Sequence, residues 1–198
     1  MSYYHNLITS KSWQELKTLR QKVEFVLIGG WAVYLFTKGL KSKDIDILIE
    51  YDQLGKLSKT YEMSKNDRLK KYEARRGEVQ IDVYLPHYSQ LGVGVDRLMS
   101  KTVKLDGFTV LKKEWLLMLK LITLSERGRS AKGRKDFLDI LSLWQTGVEV
   151  KELQKIIDEF KLKPAVKNFY QFLNESVSAE ELGLNQHQYK RVKDTIRV

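Results

Sequence analysis

Apolar residues follow two different periods along the chain. In the first half, short apolar or alternating runs predict buried strands, and apolar residues three or four positions apart predict helices. From residue 113 onward only the helical period remains. The predicted strands cover 24–28, 44–51, 79–85 and two runs within 102–110, and the predicted helices cover 7–21, 31–40, 52–69, 114–126, 134–144, 150–160, 165–173 and 186–197.

The order of these elements predicts an α+β fold. Because strands and helices are interspersed in the first half, we expect a mixed sheet flanked by helices, followed by a helical C-terminal segment. A chain of 198 residues is long enough to form two small domains. We therefore expect a domain that carries the chemistry over residues 1–112 and a helical domain over residues 113–198.

One connection between apolar runs has the composition of a tight turn. Asp106-Gly107 separates the segments TVKL and FTVL. An Asp-Gly pair between two apolar segments is a strong short-range signal for a β-hairpin, because both turn positions tolerate positive φ angles. The sequence therefore predicts a hairpin within residues 102–110.

Three aspartates have comparable positions on two of the predicted strands. Asp44 and Asp46 are two residues apart, so their side chains project from the same face of a strand. Asp82 lies in the alternating run VQIDVYL, on the face opposite the apolar residues. Carboxylates grouped in this way can hold one or two Mg²⁺ ions together with phosphate oxygens, although an isolated Asp-x-Asp pair is also common at a solvated strand end.

Two glycines stand between the first predicted strand and the helix that follows it. Gly29 and Gly30 lack side chains, so a ligand can approach their backbone closely. The helix after them offers free amide groups and the positive end of its dipole, which favours phosphate. The alternative is a tight turn without a ligand. With the aspartates downstream, we favour a cradle for a triphosphate.

These residues together resemble the pattern of the DNA polymerase β-like nucleotidyltransferase superfamily. That pattern is a glycine pair, a spacer, Asp-x-Asp and an aspartate on a later strand, and it is matched in order by Gly29, Gly30, Asp44, Asp46 and Asp82. The spacer of thirteen residues is toward the long end of the family's usual spacing. The resemblance covers about the first half of the chain. It implies a nucleotidyltransferase fold in which the aspartates are catalytic and hold metal.

A further resemblance concerns two helices of the second half. Lys120 on one helix, with Lys135, Asp136 and Asp139 on the next, resembles the helical motif of AbiEii-type toxins and minimal nucleotidyltransferases. The resemblance implies that Lys120, Lys135 and Asp136 contribute to nucleotide binding. The residues also permit a structural interpretation, in which Lys120 extends to solvent and the two aspartates stabilise a helix N-terminus and pair with Arg134 or Lys135.

The resemblance implies a reaction and its reactants. We expect transfer of a nucleoside monophosphate from an NTP to a hydroxyl, with Mg²⁺ or Mn²⁺ as cofactor and release of pyrophosphate. The acceptors that it implies include the 3′ end of a tRNA or another RNA, a side chain of a partner protein, and a small molecule such as an aminoglycoside. The alternative is a non-catalytic module of the same fold that binds RNA or protein, including as one half of a toxin–antitoxin pair.

The charge of the chain is compatible with both alternatives. There are 35 Lys and Arg residues against 25 Asp and Glu residues, which gives a net charge of +10. An excess of positive charge favours partners rich in phosphate, such as NTPs and nucleic acids. The same excess can serve solubility alone, so charge does not decide between an enzyme and a binding module.

Composition excludes several other classes of site. The chain has no cysteine, which excludes disulfides, zinc–thiolate centres and a cysteine nucleophile. None of its three histidines has another at the spacing of a zinc site, so any metal is expected on oxygen ligands. The N-terminal segment lacks the features of a signal peptide, and no apolar segment has the length of a membrane span. We expect a cytoplasmic protein with no membrane partner.

Overall fold

A computed structural model of the chain describes the backbone of residues 2–196 and the side chains of residues 6–196. The chain folds into two compact units. The first comprises the described residues up to Leu35 together with Lys41–Lys112, and the second comprises Phe36–Leu40 together with the described residues from Lys113 onward. No helix in these ranges has the length and apolarity needed to cross a membrane.

The first unit is built on a sheet that contains both parallel and antiparallel pairs. Within the described residues the sheet has seven strands, in the order β3-β4-β5-β2-β1-β7-β6. The pairs β1–β7 and β2–β5 are parallel, and the other pairs are antiparallel. The strands are β1 (Val26–Ile28), β2 (Ile45–Leu48), β3 (Glu62–Asn66), β4 (Lys71–Arg76), β5 (Val79–Tyr84), β6 (Thr102–Leu105) and β7 (Phe108–Leu111).

The burial of the central strands explains why their sequences predicted them. All three residues of β1 are buried, and β5 alternates strictly between buried and half-buried positions, with Ile81 and Val83 fully enclosed. The edge strands β3 and β6 are largely exposed and carry Lys65 and Lys104. Lysines on edge strands hinder pairing with another chain. The central strands therefore form the core and the edges remain polar.

The helices of the first unit include two that flank the start of the sheet. The unit contains α1 (Ser2–Leu19), the start of α2 (Gly29–Thr37), α3 (Leu54–Ser58) and α4 (Val95–Leu98), with a 3-10 helix at Tyr51–Gln53. The indole of Trp31 is buried, donates a hydrogen bond of 2.8 Å to Ser12 Oγ and lies 5.0 Å from the ring of Trp13. This contact fixes α2 against α1, directly after β1.

The predicted helix over residues 52–69 is wrong beyond Ser58. The chain forms α3 there, and then turns into the hairpin of β3 and β4. The prediction failed because β3 has the sequence EMSKN, which lies on an exposed edge and has no apolar alternation. The strand β4 was not predicted, since its buried Lys71 hides its periodicity. Pairing determines both strands, since β4 pairs with β5 and β3 pairs with β4, and local pattern does not.

The predicted hairpin at Asp106-Gly107 is confirmed. The strands β6 and β7 pair antiparallel, and Leu105 lies opposite Phe108, so the connection has two residues. The strand β7 also pairs in parallel with β1 and contributes buried residues to the core. The hairpin therefore completes one side of the sheet.

The second unit is helical, as predicted. Its helices are α5 (Lys113–Arg127), α6 (Ala131–Gln145), α7 (Val150–Glu159), α8 (Lys163–Glu175) and α9 (Gln186–Thr195), with a 3-10 helix at Glu180–Leu182. The core contains Phe137 of α6, whose ring lies 6.0 Å from that of Phe169 and 4.7 Å from that of Phe172 on α8. The predicted closing helix extended to residue 197, which lies outside the described residues. The predicted α+β class, a mixed sheet flanked by helices and followed by a helical segment, is confirmed.

The turn between α5 and α6 brings two segments of backbone into close contact. Ser130 caps α6, and its Oγ accepts a hydrogen bond of 3.0 Å from the backbone N–H of Gly133. A Cβ added at Gly133 would lie 2.0 Å from the carbonyl oxygen of Gly128. Only glycine permits this approach, because the opposing atom belongs to the backbone and cannot rotate away.

We predict that Gly133→Ala lowers the free energy of unfolding by about 1–3 kcal/mol, the range expected for an overpacked site. Gly55→Ala is the matched control, since Gly55 is also helical and a Cβ there would meet no atom within 4 Å. That substitution should be neutral or stabilising by up to about 1 kcal/mol, the difference in helix propensity. Urea denaturation of both variants measures the effect, and equal midpoints would contradict the proposed close contact.

Candidate active site

Three acidic residues form a row across the sheet. In the parallel pair of β2 and β5, Asp46 lies opposite Asp82, and in the antiparallel pair of β4 and β5, Asp82 lies opposite Glu73. Residues opposite each other in a sheet share a face, and neighbouring strands are about 4.8 Å apart. Three carboxylates therefore lie side by side on one face of the sheet.

Asp44 and Asp46 differ in exposure. Asp46 lies within β2 and is half-buried, whereas Asp44 lies one residue before the strand and is exposed. The buried neighbour Ile45 holds the start of the strand in the core. The backbone of Asp46 is thus held by the hydrogen bonds of the sheet, whereas Asp44 belongs to the segment that precedes β2.

Gly29 is in direct contact with Asp46. The register of β1 and β2 places Ile28 opposite Asp46, and the chain enters α2 at the next residue, Gly29, with a φ angle of 64°. A Cβ on Gly29 would lie 2.1 Å from Oδ2 of Asp46 and 2.8 Å from its Cβ. Rotation of the carboxylate would not remove this overlap. The position therefore requires glycine both for its backbone angle and for its packing.

The N-terminus of α2 lies at the same place. The helix begins at Gly29, immediately after β1, and Gly30 is buried in its first turn. The first amide groups of a helix have no partner within the helix, and they favour an anion. Asp46 is thus next to a group of backbone donors, an arrangement that suits a ligand with both phosphate and bound cation. The nucleotide-binding roles of Gly29 and Gly30 stay predictions.

Lys71 reaches the row of carboxylates from β4. Its Nζ donates a hydrogen bond of 2.6 Å to Oδ2 of Asp82 and lies 3.4 Å from Oε1 of Glu73. The Lys71 side chain is 8% exposed, and those of Asp82 and Glu73 are each 14% exposed. One enclosed ammonium group thus lies between two carboxylates, and Arg75 Nη2 also donates to Oε2 of Glu73 at 3.3 Å.

These two carboxylates also accept hydrogen bonds from uncharged side chains. Gln80 Nε2 donates to Oδ1 of Asp82 at 2.8 Å, and Asn66 Nδ2 donates to Oε1 of Glu73 at 3.0 Å. The hydrogen bond from Asn66, followed by the charge of Lys71, lowers the pKa of Glu73 despite the opposing effect of burial. Glu73 is therefore ionised at neutral pH.

Sequence reasoning did not identify Lys71 and Glu73. Both lie on β4, which the predicted elements omitted. A signal does exist, since Lys71 and Glu73 alternate with Tyr72 and Ala74, and Ala74 is buried. The alternation covers too few apolar residues to predict a strand before its pairing with β5 is known.

The donor set is suited to a divalent cation at one end of the row. Asp44 and Asp46 offer the carboxylate oxygens that Mg²⁺ and Mn²⁺ prefer. Both oxygens of Asp82 accept hydrogen bonds from other side chains. Among residues 6–196, no three Asp, Glu, His or Cys side chains converge as a metal site. The prediction that Asp44, Asp46 and Asp82 together hold metal therefore stays a prediction.

The second unit contains the other predicted residues, on α5 and α6. Lys120 Nζ donates a hydrogen bond of 2.9 Å to Oδ1 of Asp136 and lies 2.7 Å from Oδ2 of Asp139. Arg127 Nη1 donates to the other oxygen of Asp136 at 2.7 Å. Lys120, Asp136 and Asp139 are buried, and Lys135 is half-buried on α6. The structure therefore brings Lys120 and Asp136 together.

This buried network is balanced in charge. Burial acts to lower the pKa of Lys120, but the carboxylates of Asp139 and Asp136 outweigh it and raise that pKa above the usual value. The 2.7 Å contact between Lys120 Nζ and Oδ2 of Asp139 is an ion pair that lacks hydrogen-bond geometry, and Oδ2 has no hydrogen-bond partner. Lys120 thus links α5 to α6, a structural role that does not require a nucleotide. Nucleotide binding by Lys120, Lys135 and Asp136 stays a prediction.

We predict that Gly29→Ala destabilises the protein more than Gly77→Ala. Gly77 has a similar φ angle of 58°, but a Cβ there would meet no atom within 4 Å. Both variants should lose about 1–2 kcal/mol from a left-handed backbone. Only Gly29→Ala should lose more, since it displaces Asp46. Chemical denaturation measures both, and equal losses would contradict the tight contact between Gly29 and Asp46.

We predict that Lys120→Met lowers the free energy of unfolding by about 3–5 kcal/mol, because Asp136 and Asp139 lose a buried partner. Adding Asp139→Asn should recover part of this loss by removing one uncompensated charge. The control is Lys132→Met, on an exposed position of α6. Thermal and urea unfolding provide the measurement, and an effect no larger than the control would exclude the structural role.

Comparisons with known proteins show a likeness of structure and not of sequence. No family model matches the chain, and no curated protein matches it. The antibiotic-resistance factor ANT(2'')-Ia has a similar solution structure, with a TM-score of 0.56 and 12% identity over 87% of this chain and 99% of that chain. JHP933 from Helicobacter pylori has a TM-score of 0.50 and 14% identity over 93% of this chain and 88% of that chain.

At such identities the likeness shows the fold alone. Each likeness covers most of this chain. The chain therefore has an α+β nucleotidyltransferase fold, in which a mixed sheet is flanked by helices and followed by a helical segment.

Proposed function

We propose that this chain is a nucleotidyltransferase, which transfers a nucleoside monophosphate from an NTP to an acceptor hydroxyl. One observation carries the proposal: Asp46 lies against the backbone of Gly29 at the start of α2 and opposite Asp82 in the sheet. A phosphate-binding helix terminus and carboxylates for a cation thus adjoin each other. An ordinary strand end does not require this combination.

The residues of the first unit have distinct tasks in this proposal. The amide groups at Gly29 and Gly30 bind the triphosphate, and Asp44 and Asp46 hold Mg²⁺ or Mn²⁺. A divalent ion held there polarises the α-phosphate and stabilises the pyrophosphate leaving group. Because the Asp46 carboxylate is confined by Gly29, it is already positioned before the NTP binds. We assign the chemistry to residues 1–112 and a supporting role to residues 113–198.

The transfer itself is a substitution at phosphorus. The acceptor hydroxyl oxygen forms a bond to the α-phosphorus, and the bond from that phosphorus to the bridging oxygen of pyrophosphate breaks. The hydroxyl proton is lost to solvent or to a nearby carboxylate. The chain contributes orientation and charge, since phosphoryl-type transfers depend mainly on positioning and electrostatic stabilisation.

The acceptor is the least constrained part of the proposal. A net charge of +10 supports an RNA acceptor, such as the 3′ end of a tRNA, because phosphate backbones attract basic surfaces. The likeness to an antibiotic-resistance factor supports a small-molecule acceptor. The resemblance of the α5 and α6 motif to AbiEii-type toxins supports a protein acceptor or a toxin–antitoxin role. All three classes therefore belong in the test.

One observation favours a second candidate function, a binding module without catalysis. Asp82 matches the third aspartate of the family pattern, yet both of its oxygens are bound by Lys71 and Gln80. A module that binds RNA or protein on this fold would not need Asp82 for chemistry. The intact Asp44 and Asp46 pair beside Gly29 favours the enzyme.

We predict that Asp46→Asn abolishes nucleotide transfer while the protein remains folded, since it removes a charge needed for the cation from a half-buried strand position. The assay incubates the full chain with each α-³²P-labelled NTP and Mg²⁺ or Mn²⁺. Total RNA, lysate protein and an aminoglycoside serve as acceptors. The labelled NTP that gives transfer identifies the donor, and the material that becomes labelled identifies the acceptor class.

The matched control is Asp158→Asn, which removes an aspartate whose side chain is 52% exposed on α7. It should transfer label like the wild type. Equal transfer by wild type and Asp46→Asn would exclude the proposed site. RNA or NTP binding without transfer by the wild type, under every condition, would establish the binding module instead.

A further inference from the structure

We propose that Lys71 is a built-in cation of this site, which pairs with Asp82 and Glu73 so that the chain binds one divalent ion, at Asp44 and Asp46. The inference rests on the proposed function and deepens it, because it assigns Asp82 to an ion pair within the protein and not to a second metal. Lys71 is a positioning residue in this proposal, since it acts through the carboxylates.

The sheet register creates the need for such a cation. Asp46, Asp82 and Glu73 are consecutive partners across β2, β5 and β4, on one face. Carboxylates on adjacent strands repel one another unless a positive charge intervenes. A metal shared between Asp46 and Asp82 would meet this need for the first pair only. Glu73 lies one strand further away, where its charged partner besides Lys71 is Arg75, at 3.3 Å and with a side chain that is 58% exposed.

Lys71 meets the need for the second pair. It lies two residues before Glu73 on β4, and therefore on the same face as Glu73 and Asp82. Its ammonium group is 2.6 Å from Asp82 and 3.4 Å from Glu73. This charge is therefore enclosed between two carboxylates on the face that they share.

Two hydrogen-bond donors occupy the carboxylate oxygens of Asp82 and so disfavour metal coordination by this residue. Lys71 binds Oδ2 and Gln80 binds Oδ1, so coordination would have to displace both hydrogen bonds. An ammonium group at hydrogen-bond distance also repels a divalent ion on the same oxygen. No three Asp, Glu, His or Cys side chains converge as a metal site among the described side chains.

Exposure distinguishes this lysine from its neighbours. The Lys71 side chain is 8% exposed, whereas that of Lys65, on the adjacent strand β3, is 48% exposed and pairs with Asp67. An enclosed lysine loses rotamer freedom and hydration, and these costs are offset only by its carboxylate partners. Lys71 is therefore a fixed component of the polar face, and Lys65 is an ordinary surface charge.

The experiment measures the number of Mn²⁺ ions bound by the full chain, by titration calorimetry and by electron paramagnetic resonance of free Mn²⁺. No nucleotide is present, so the readout is independent of activity. We expect one ion for the wild type and loss of that ion in Asp46→Asn. Asp82→Asn should still bind one ion with an unchanged Kd, because Asp82 does not hold it.

Removal of the ammonium group should open a second site. Lys71→Met keeps a similar side-chain volume, and we expect it to bind two ions, the second of which disappears again in Lys71→Met/Asp82→Asn. Lys71→Arg, which keeps the charge, should bind one ion like the wild type. Lys65→Met is the matched control and should also bind one ion.

Folding is monitored in parallel, because Lys71→Met leaves two carboxylates without their partner. Mn²⁺ should raise the Tm of Lys71→Met more than that of the wild type, since an ion replaces the lost charge. A folded Lys71→Met that still binds one ion overturns the inference, as does a Lys71→Met whose Tm Mn²⁺ raises no more than the wild type's.

Other outcomes separate the inference from the function on which it rests. Two ions on the wild type, one of them lost in Asp82→Asn, would overturn the built-in cation and leave the metal-dependent transferase intact. No ion on the wild type, or an ion that Asp46→Asn retains, would overturn the proposed metal site and the inference with it.

Discussion

The packing of Asp46 against the backbone of Gly29 is the contact on which the rest of the candidate site depends. It arises because β2 lies between β1 and β5, so that one residue of β2 meets both the end of β1 and the middle of β5. The chain must leave β1 with a left-handed residue to begin α2 there. A side chain at that residue would occupy the space of the carboxylate. The helix terminus and the acidic row are therefore parts of one arrangement.

Both units use an enclosed lysine to neutralise enclosed carboxylates. Lys71 joins Asp82 and Glu73 across two strands, and Lys120 joins Asp136 and Asp139 across the pair of helices α5 and α6. Removing one partner from such a group leaves an uncompensated charge, so the group is retained as a whole. Each of these lysines donates a hydrogen bond to a carboxylate of its own unit. The net charge of the chain already counts these carboxylates, so leaving the two groups out does not lower the positive charge of the remaining residues.

The fold and the function rest on different kinds of argument. The likeness to ANT(2'')-Ia, at 12% identity, establishes the architecture without assigning any residue a role. The functional proposal depends instead on contacts within the first unit, where Gly29, Asp46 and Asp82 meet. The same contacts raise the question of Asp82, which the family pattern would count as a metal ligand. Its hydrogen bond with Lys71 is the observation on which the proposal of a single metal ion rests.

The sequence by itself determined the elements whose burial is periodic. The strands β1, β2 and β5, the hairpin at Asp106-Gly107 and the helices of the second half were predicted, because a period of two or of 3.6 residues records which face is buried. It also determined that Asp44, Asp46 and Asp82 lie on polar faces. The exposed strand β3 and the polar strand β4 have no such periodic pattern. The sequence therefore predicted a helix over residues 52–69, which includes β3.

Only the tertiary structure decided which charges meet. Lys71 and Asp82 are joined because β4 pairs with β5 in one particular register, and Lys120 meets Asp136 because α5 packs on α6. Local periodicity specifies the face on which a side chain lies but not the residue across from it. The acidic row and its neutralising lysine depend on that pairing, and so they could be found only in the folded chain.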